Sequence, residues 1–499
     1  MTLTKSVRHI IESSNDPLLS INPSWERVQL GEIASILNGF AFKSRLFNNE
    51  KRGVPLLRIR DISTNESNTY FSGDYDEQYI VSKGDIVVGM DGDFNCSIWK
   101  GVPSLLNQRV CKIESETEMY SKDFLFLVLP HYLNAINEHT SSQTVKHLSS
   151  KSIQEILLPL PPLSEQNRIV AAIKSLFARL DETNERLDRV PEIMKVFRQA
   201  VLVAACDGRL TEEWRKQQKD LPDPEELQEQ ISRAIKEATA KSKKKAKSLD
   251  PLSEIELDGL QDIPENWLWI KIGDLTLGVE YGTSAKSNES GEVPVLRMGN
   301  IQNGRFDWSN LVYTNDKAEI AKYLLTKDDV LFNRTNSPDL VGKTAIYKGE
   351  KTAIFAGYLI RINQLPTLVS ADYLNYYLNS PAAKLHGNSV RTDGVNQSNI
   401  NGEKLRNYPF PFCSLPEQQE IVRRVDALFA FADSIEARVA AAKEKTERLR
   451  QSILAKAFSG ELVPTEAELA RQEGRDYESA EVLLERIKAE GASSKKKKK

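Results

Sequence analysis

The chain has 499 residues, a length that calls for two to four domains rather than one core. Hydrophobic residues at 40% and charged residues at 27% describe a water-facing protein with much helix surface, and the formal net charge of -3 argues neither for nor against a nucleic-acid partner. No stretch approaches 18 apolar residues and residues 1–20 hold no signal-like apolar core, so neither membrane insertion nor export is expected and a cytoplasmic location is. The four cysteines, Cys96, Cys111, Cys206 and Cys413, lie far apart with no metal-like pairing and read as reduced thiols.

Residues 1–22 read as a poorly packed arm or short helix. From Pro23 onward come three phrases: one around Trp25 and Gly31, then Val54-Pro55-Leu56-Leu57-Arg58, then residues 79–88. Each returns later, around Trp267 and Gly273, at Val293-Pro294-Val295-Leu296-Arg297, and at residues 323–332. These short runs of branched apolar residues, bounded by Gly, Asp, Asn and Pro, predict strands of two irregular β-rich domains over 23–160 and 251–412. Residues 121–129 and 371–378 predict a helix in each. The phrases repeat while the segments between them do not. Loops carry specificity on a rigid scaffold, so the halves are expected to bind different things in the same manner.

A second repeat follows each domain. Leu163-Ser164-Glu165-Gln166 and Leu415-Pro416-Glu417-Gln418 open two helical stretches 252 residues apart. Ile169, Ile173, Leu176, Leu180, Leu187, Val190, Met194, Phe197 and Val201 recur three and four residues apart, with Thr183 in one slot. The matching seam is Ile421, Val425, Leu428, Ala432, Ile435, Val439, Ala442, Thr446, Leu449 and Ile453. Without a gap between copies, this is an internal repeat forming two heptad-like rods of roughly 43 residues, about 65 Å each. Ser164 is the expected cap of the first, Ser414 with Glu417 a capping box for the second, and Gly208 and Gly460 the end signals. Pro191 is expected to kink the first rod rather than break it. The helical regions are thus placed at 161–215 and 413–462.

Between the halves, 216–250 reads as a lysine-rich linker, helical from Asp223-Pro224 to about Ala238. Residues 463–499 read as a flexible charged tail ending in five lysines. Both lysine runs are solubilising surface or a weak, non-specific attraction to phosphate.

Catalytic patterns are missing. His9, His131, His139, His147 and His386 have no acid-rich or cysteine partners at ligand spacing and read as structural or surface residues, leaving no expected metal site. There is no Walker-type loop, dinucleotide fingerprint or serine elbow, and no nucleophile or base set against a third orienting group. A non-catalytic recognition module is expected. Its candidate DNA contacts are Lys43, Arg45, Arg58, Arg60 and Arg109 in the first half, and Lys286, Arg297, Asn300, Arg334, Asn336, Lys343 and Arg391 in the second. Such side chains in turns grip phosphates and pair with base edges, or are simply solvated charges. Arg58 and Arg297 occupy one place in the repeated phrase, where holding a turn fits them as well as touching DNA. Trp25 and Trp267 pack, or stack on a base.

The repeated helix openings, the Trp-to-Gly phrase and the Ala457-Phe458-Ser459-Gly460-Glu461-Leu462 ending resemble the specificity subunit of Type I restriction-modification enzymes, over about 23–215 and 264–462. The resemblance implies an α+β fold: two β-rich target recognition domains separated by two long antiparallel helices that form an intramolecular coiled coil, pseudo-two-fold. Each domain would read one half of an asymmetric bipartite double-stranded DNA site. The helices would set the spacer and dock two methylase subunits, with S-adenosylmethionine bound in those partners and none in this chain. Restriction/translocase subunits would complete the enzyme. The helix-pair core would be Ile169, Ile173, Leu176, Leu180, Leu187 and Val190 against Ile421, Val425, Leu428, Ile435, Val439 and Leu449. The longer lysine-rich connection and Pro191, which stands where the second copy has Lys443, depart from the simplest family pattern. The competing reading is a two-lobed scaffold without DNA sequence preference.

Overall fold

The computed structural model describes residues 6–115, 117–140, 146–241, 249–395 and 397–497. It divides into two compact units, Met1–Leu187 with Ala441–Lys499, and Asp188–Ala440.

Each unit is α+β and follows one plan. In the first, Glu26–Gln29 pairs antiparallel with Leu157–Leu160, closing the domain at its neck. In the second, Leu268–Lys271 pairs with Pro409–Phe412 in the same way. Pro159, Pro409 and Pro411 therefore lie within short two-stranded sheets, which tolerate a missing N–H. Above the neck sits a four-stranded antiparallel sheet. Its order is Ala34–Asn38, Val110–Ser115, Ile86–Gly89, Cys96–Ile98 in the first unit. In the second it is Thr276–Tyr281, Leu359–Gln364, Val330–Asn333, Thr344–Ile346. The two orders correspond strand for strand. The Val-Pro-x-Leu phrase is also a strand in both, and it runs parallel to Ser104–Leu106 or to Ile354–Phe355. Around that strand the copies part: the first unit builds a five-stranded sheet, the second a three-stranded one.

One close crossing recurs. A Cβ at Gly39 would stand 2.0 Å from the Asn107 carbonyl oxygen, and one at Gly282 2.3 Å from that of Phe355. Only glycine lets the backbone pass there.

The domain helix differs between copies. Lys122–Glu138 is continuous through Pro130, whereas its counterpart stops at Leu378 and restarts at Pro381. Both long helices, Leu163–Cys206 and Leu415–Phe458, span 44 residues, and the first continues through Pro191. Within each unit they run in opposite directions. In the first, Arg450 binds Asp181 and lies over Phe177, and Thr446 Oγ1 donates to Asn184 Oδ1 at 2.8 Å. In the second, Arg198 Nη2 stands 2.8 Å from both Asp433 and Glu436, over the Phe429 ring.

The seam is apolar toward the helix ends. Ile169, Ile173 and Leu180 are buried with Ile453, Leu454, Ala457 and Phe458, and Ile421 and Val425 with Val201, Leu202, Ala205 and Cys206. Leu176, Leu187, Val190, Leu428, Ile435 and Val439 are only half-buried. Leu449, expected in the core, is 47% exposed, because its neighbour Arg450 takes the inward place over Phe177. Ionic pairs thus flank the half-buried apolar positions along the middle of the seam.

Both terminal segments pack. Val7, Ile10 and Ile11 of the helix Val7–Glu12 are buried, so 1–22 is not a loose arm over its described part. The charged tail forms helices Glu466–Glu473 and Ala480–Lys497, the latter anchored by buried Leu483 and Ile487. In the linker, the helix Pro224–Lys241 inserts Leu227 and Ile231 into the second unit's core. Two apolar residues four apart make one narrow stripe, enough to seat a helix on a neighbour. Residues 242–248, most of the internal lysine run, and the last two lysines lie outside the described residues.

The helix openings act as clamps rather than caps. Helix already begins at Leu163, which puts Ser164 inside the first turn. Ser414 Oγ is buried without a hydrogen-bond partner, and Glu417 faces away from it, so the expected capping box does not form. Gln166 instead accepts from the Ser121 N–H at 2.7 Å and donates to the carbonyls of Met119 and Pro161. Gln418 does the same with Ser370, Leu368 and Cys413. The glutamates take the tryptophans: Trp25 Nε1 donates to Glu165 and Trp267 Nε1 to Glu417, each at 3.0 Å. Both indoles are buried, which removes base stacking as their role.

Glu165 also accepts the Glu466 N–H at 2.9 Å. Burial pushes the Glu466 carboxyl up, but hydrogen bonds from Arg475, Arg168 and Ser164 outweigh it and hold the group at about 2, against an ordinary 4.5. A depressed carboxylate stabilises the fold above its unfolded pKa and loses that contribution as pH falls through the folded one. Stability should therefore fall between about pH 4.5 and 2. Glu466→Gln should flatten that acid limb in pH-dependent melts and cost about 2 kcal/mol at neutral pH. Burial raises the pKa of Glu165, ahead of the lowering bonds from Glu466 and Trp25, so its contribution has the opposite sign and shrinks as pH rises. An unchanged acid limb in the variant would contradict the assignment.

Candidate nucleic-acid interface

At the Gly39 crossing, the Phe40 N–H donates to the Leu106 carbonyl and the Gln108 N–H to the Phe40 carbonyl, both at 2.9 Å. This lays the loop after Gly39 against the turn that leads into Val110–Ser115. Lys43 and Arg45 are exposed on that loop and Arg109 on the turn. Phe40 is 49% exposed, backed by Phe42 and Tyr79 with ring centroids 5.1 and 5.3 Å away. The second unit repeats the arrangement. The Thr283 N–H donates to the Phe355 carbonyl at 2.9 Å and the Gly357 N–H to that of Thr283 at 2.7 Å. Lys286 is exposed on this loop, Tyr358 on the turn, and Arg334 lies 4.8 Å over the Tyr281 ring. In each unit, then, the sequence candidates Lys43, Arg45 and Arg109, or Lys286 and Arg334, lie on segments at one end of the four-stranded sheet.

Arg109 adopts φ 75°, the left-handed region that non-glycine residues rarely enter. Its guanidinium stands 3.4 Å from Asp91, whose carboxylate also takes His147 Nδ1 at 2.6 Å. Asp91, His147, Phe40 and Tyr358 are surface residues that reading the chain in order did not select. Aligning the two crossings residue by residue picks out Phe40 and Tyr358, whereas Asp91 and His147 lie on other segments and join only in the fold.

The repeated arginines close turns. The Arg58 N–H donates to the Asp61 carboxylate and the Arg297 N–H to Asn300 Oδ1, both at 2.9 Å. Asn300 is therefore a correction: it is buried, its Oδ1 takes Arg297, and its Nδ2 donates to the carbonyls of Asp307 and Asn310 at 3.0 Å. No hydrogen-bonding atom of that amide is left for a base. Arg60 is exposed, with Nη2 3.3 Å from Thr69 Oγ1. Asn336 accepts the Ser337 N–H at 2.8 Å. Arg391 is held inside its own domain by the Pro338 carbonyl, Asn388 and Asp393. Lys343 lies elsewhere, lining a cavity of about 730 Å³ with Arg305, Asn379 and Lys384. Burial, then the charges of Lys343 and Lys195, push the Lys384 ammonium down.

Among the described residues no cluster of three or more His, Cys, Asp or Glu could hold a metal, and no helix is long and apolar enough to cross a membrane.

The family model described as the Type I restriction modification DNA specificity domain matches residues 22–192 and 264–443. The chain is 38% identical over 509 residues to the Type I restriction enzyme EcoBI specificity subunit of Escherichia coli, covering 100% of this chain and 99% of that one. It is 28% identical over 500 residues to the EcoKI specificity subunit of Escherichia coli (strain K12), covering 95% and 97%. Among solved structures, a chain from a study of complex assembly and conformational transition of the type I R-M system aligns with a TM-score of 0.59 at 18% identity, over 89% of this chain and 100% of that one. The HsdS subunit from Thermoanaerobacter tengcongensis aligns with a TM-score of 0.51 at 17% identity, over 89% and 98%. At these identities the two structures bear on fold.

Proposed function

The chain belongs to the family of Type I restriction-modification DNA specificity subunits, and on that premise we propose that it directs a methylase and a restriction/translocase to an asymmetric bipartite DNA site. Residues 23–160 and 251–412 are the two target recognition domains, each reading one half-site. The paired helices set the spacer and seat two methylase subunits. The chain performs no chemistry itself; adenine methylation uses S-adenosylmethionine bound by the methylase partners, in the cytoplasm. The observation that carries this reading is the sheet end built twice on matching strand orders but furnished with different side chains, Lys43, Arg45 and Arg109 against Lys286, Arg334 and Tyr358. One scaffold with two chemistries is what reading two unlike half-sites requires.

Sequencing methylated adenines in a genome that expresses this chain with its methylase subunits tests the proposal. The expected result is a single two-part motif with unlike halves and a fixed gap. Methylation that follows no sequence, or one continuous motif, would sink it.

A further inference from the structure

The strands Ile86–Gly89 and Val330–Asn333 hold the same place in their sheets, so Met90 corresponds to Arg334. The backbone around the two is bonded alike. The Met90 N–H donates to the Arg109 carbonyl at 2.8 Å, and the Met90 carbonyl accepts from the Leu148 N–H at 2.8 Å. The Arg334 N–H donates to the Tyr358 carbonyl at 3.0 Å, and its carbonyl accepts from the Ile400 N–H at 2.9 Å. Three chain segments thus meet in one frame, which puts Asp91 with Thr335, Arg109 with Tyr358, and His147 with Asn399. Even the cross-strand contact is kept: His147 Nδ1 lies 2.6 Å from Asp91 Oδ1, and Asn399 Nδ2 2.8 Å from Thr335 Oγ1.

The chemistry is not kept. In the first domain the three side chains are an acid, an arginine and a histidine; in the second they are a threonine, a tyrosine and an asparagine. A scaffold role would preserve side-chain chemistry along with the backbone bonds. Here the bonds are constant and the side chains vary; Thr335 is buried and Asp91, His147 and Asn399 are partly buried, while Arg109 is half exposed and Tyr358 52% exposed. The left-handed backbone at Arg109 adds to this, since sparsely populated conformations of non-glycine residues gather at functional positions.

We propose that the exposed position of this frame, Arg109 in the first domain and Tyr358 in the second, is specificity-determining, and that in the first domain Arg109 pairs with a guanine while Asp91 positions it. A guanidinium offers two parallel donors to guanine O6 and N7, and a carboxylate behind it fixes the plane of the fork. The inference rests on the DNA-specificity reading above and adds to it one base and the group that reads it.

The test uses the complex of the full chain with its methylase subunits, read by sequencing methylated sites. R109N is the main variant, because asparagine tolerates the left-handed backbone and offers an amide that suits adenine. Preference at one base pair of the first half-site should fall about 5- to 150-fold, with every other position and the whole second half-site unchanged. R109K keeps the charge but not the two-pronged geometry and should move the same base pair. D91N should relax that base pair too, less strongly, with no other position affected. A merely structural role would instead weaken methylation evenly at every position, and that result overturns the inference. So does an unchanged motif in R109N. A parent complex with no two-part motif would overturn the specificity reading and this inference with it, whereas an intact parent motif with an unmoved variant overturns this inference alone.

Discussion

Replacing residues 23–160 with the corresponding domain of another family member should rewrite one half of the methylated motif and leave the other half and the gap as they were. The domain is suited to exchange because it enters and leaves at one place: Glu26 stands opposite Leu160 across the neck, and the Leu30 N–H reaches the Ile156 carbonyl at 2.9 Å. What the first long helix grips above the neck is mostly backbone. Gln166 bonds the Ser121 N–H and the Met119 carbonyl, atoms that any incoming sequence supplies. Trp25 meets Glu165 through a residue of the repeated phrase, so the exchange should retain that bond as well. Each wrong base pair costs about 1–3 kcal/mol, so a half-site of a few base pairs should lose roughly a thousand-fold or more in preference. Sequencing the methylated sites of the chimera decides it. A motif altered in both halves, or in neither, would show that the halves do not read independently.

Much of this was legible in the chain because it is written twice. The long helices were found from a period that two copies share without a gap, and the neck and central strands from short phrases that return. Local rules failed where burial overrode them. The spacing of Ser414 and Glu417 fits a capping box, yet the carboxylate turns to Trp267, Thr211 and Arg215, which need an acceptor more than an exposed helix end does. The helix Pro224–Lys241 forms where its proline start signal places it, whereas Ala480–Lys497 rests on buried Ala480, Leu483 and Ile487, too sparse a stripe for periodicity to separate from a charged tail. Asn300 could have been placed: it aligns with Asp61 in the repeated phrase, and an Asp or Asn three residues after the phrase's arginine is a turn-closing residue before it is a base reader. Asp91, Arg109 and His147 could not be joined from spacing, since they come together only where three chain segments cross.

The clamp at Glu417 carries the largest stability prediction. Its carboxylate is fully buried and takes Trp267 Nε1 at 3.0 Å, Thr211 Oγ1 at 2.8 Å and the Arg215 guanidinium, which is itself mostly buried. Glu417→Ala leaves an indole N–H and a hydroxyl without an acceptor and the Arg215 charge without its counter-ion, though Arg215 still donates to the Gly208 carbonyl, and breaking a buried ion pair from one side costs about 3–5 kcal/mol. The equivalent Glu165→Ala should cost less, about 1–3 kcal/mol, because Glu165 holds only Trp25 and one backbone N–H. That substitution also relieves the repulsion between Glu165 and the Glu466 carboxylate, while Arg168 and Arg475 go on holding Glu466. Denaturant unfolding compares the two, with amide exchange along Leu268–Lys271 reporting on the second unit. If the stranded charge is the main cost, removing it should recover part of the loss. Glu417→Ala made in an Arg215→Met background should then cost less by about 1–3 kcal/mol than in the parent chain. Equal costs in the two backgrounds would mean that Arg215 is not what makes Glu417 indispensable, and would shift the clamp's weight to Trp267.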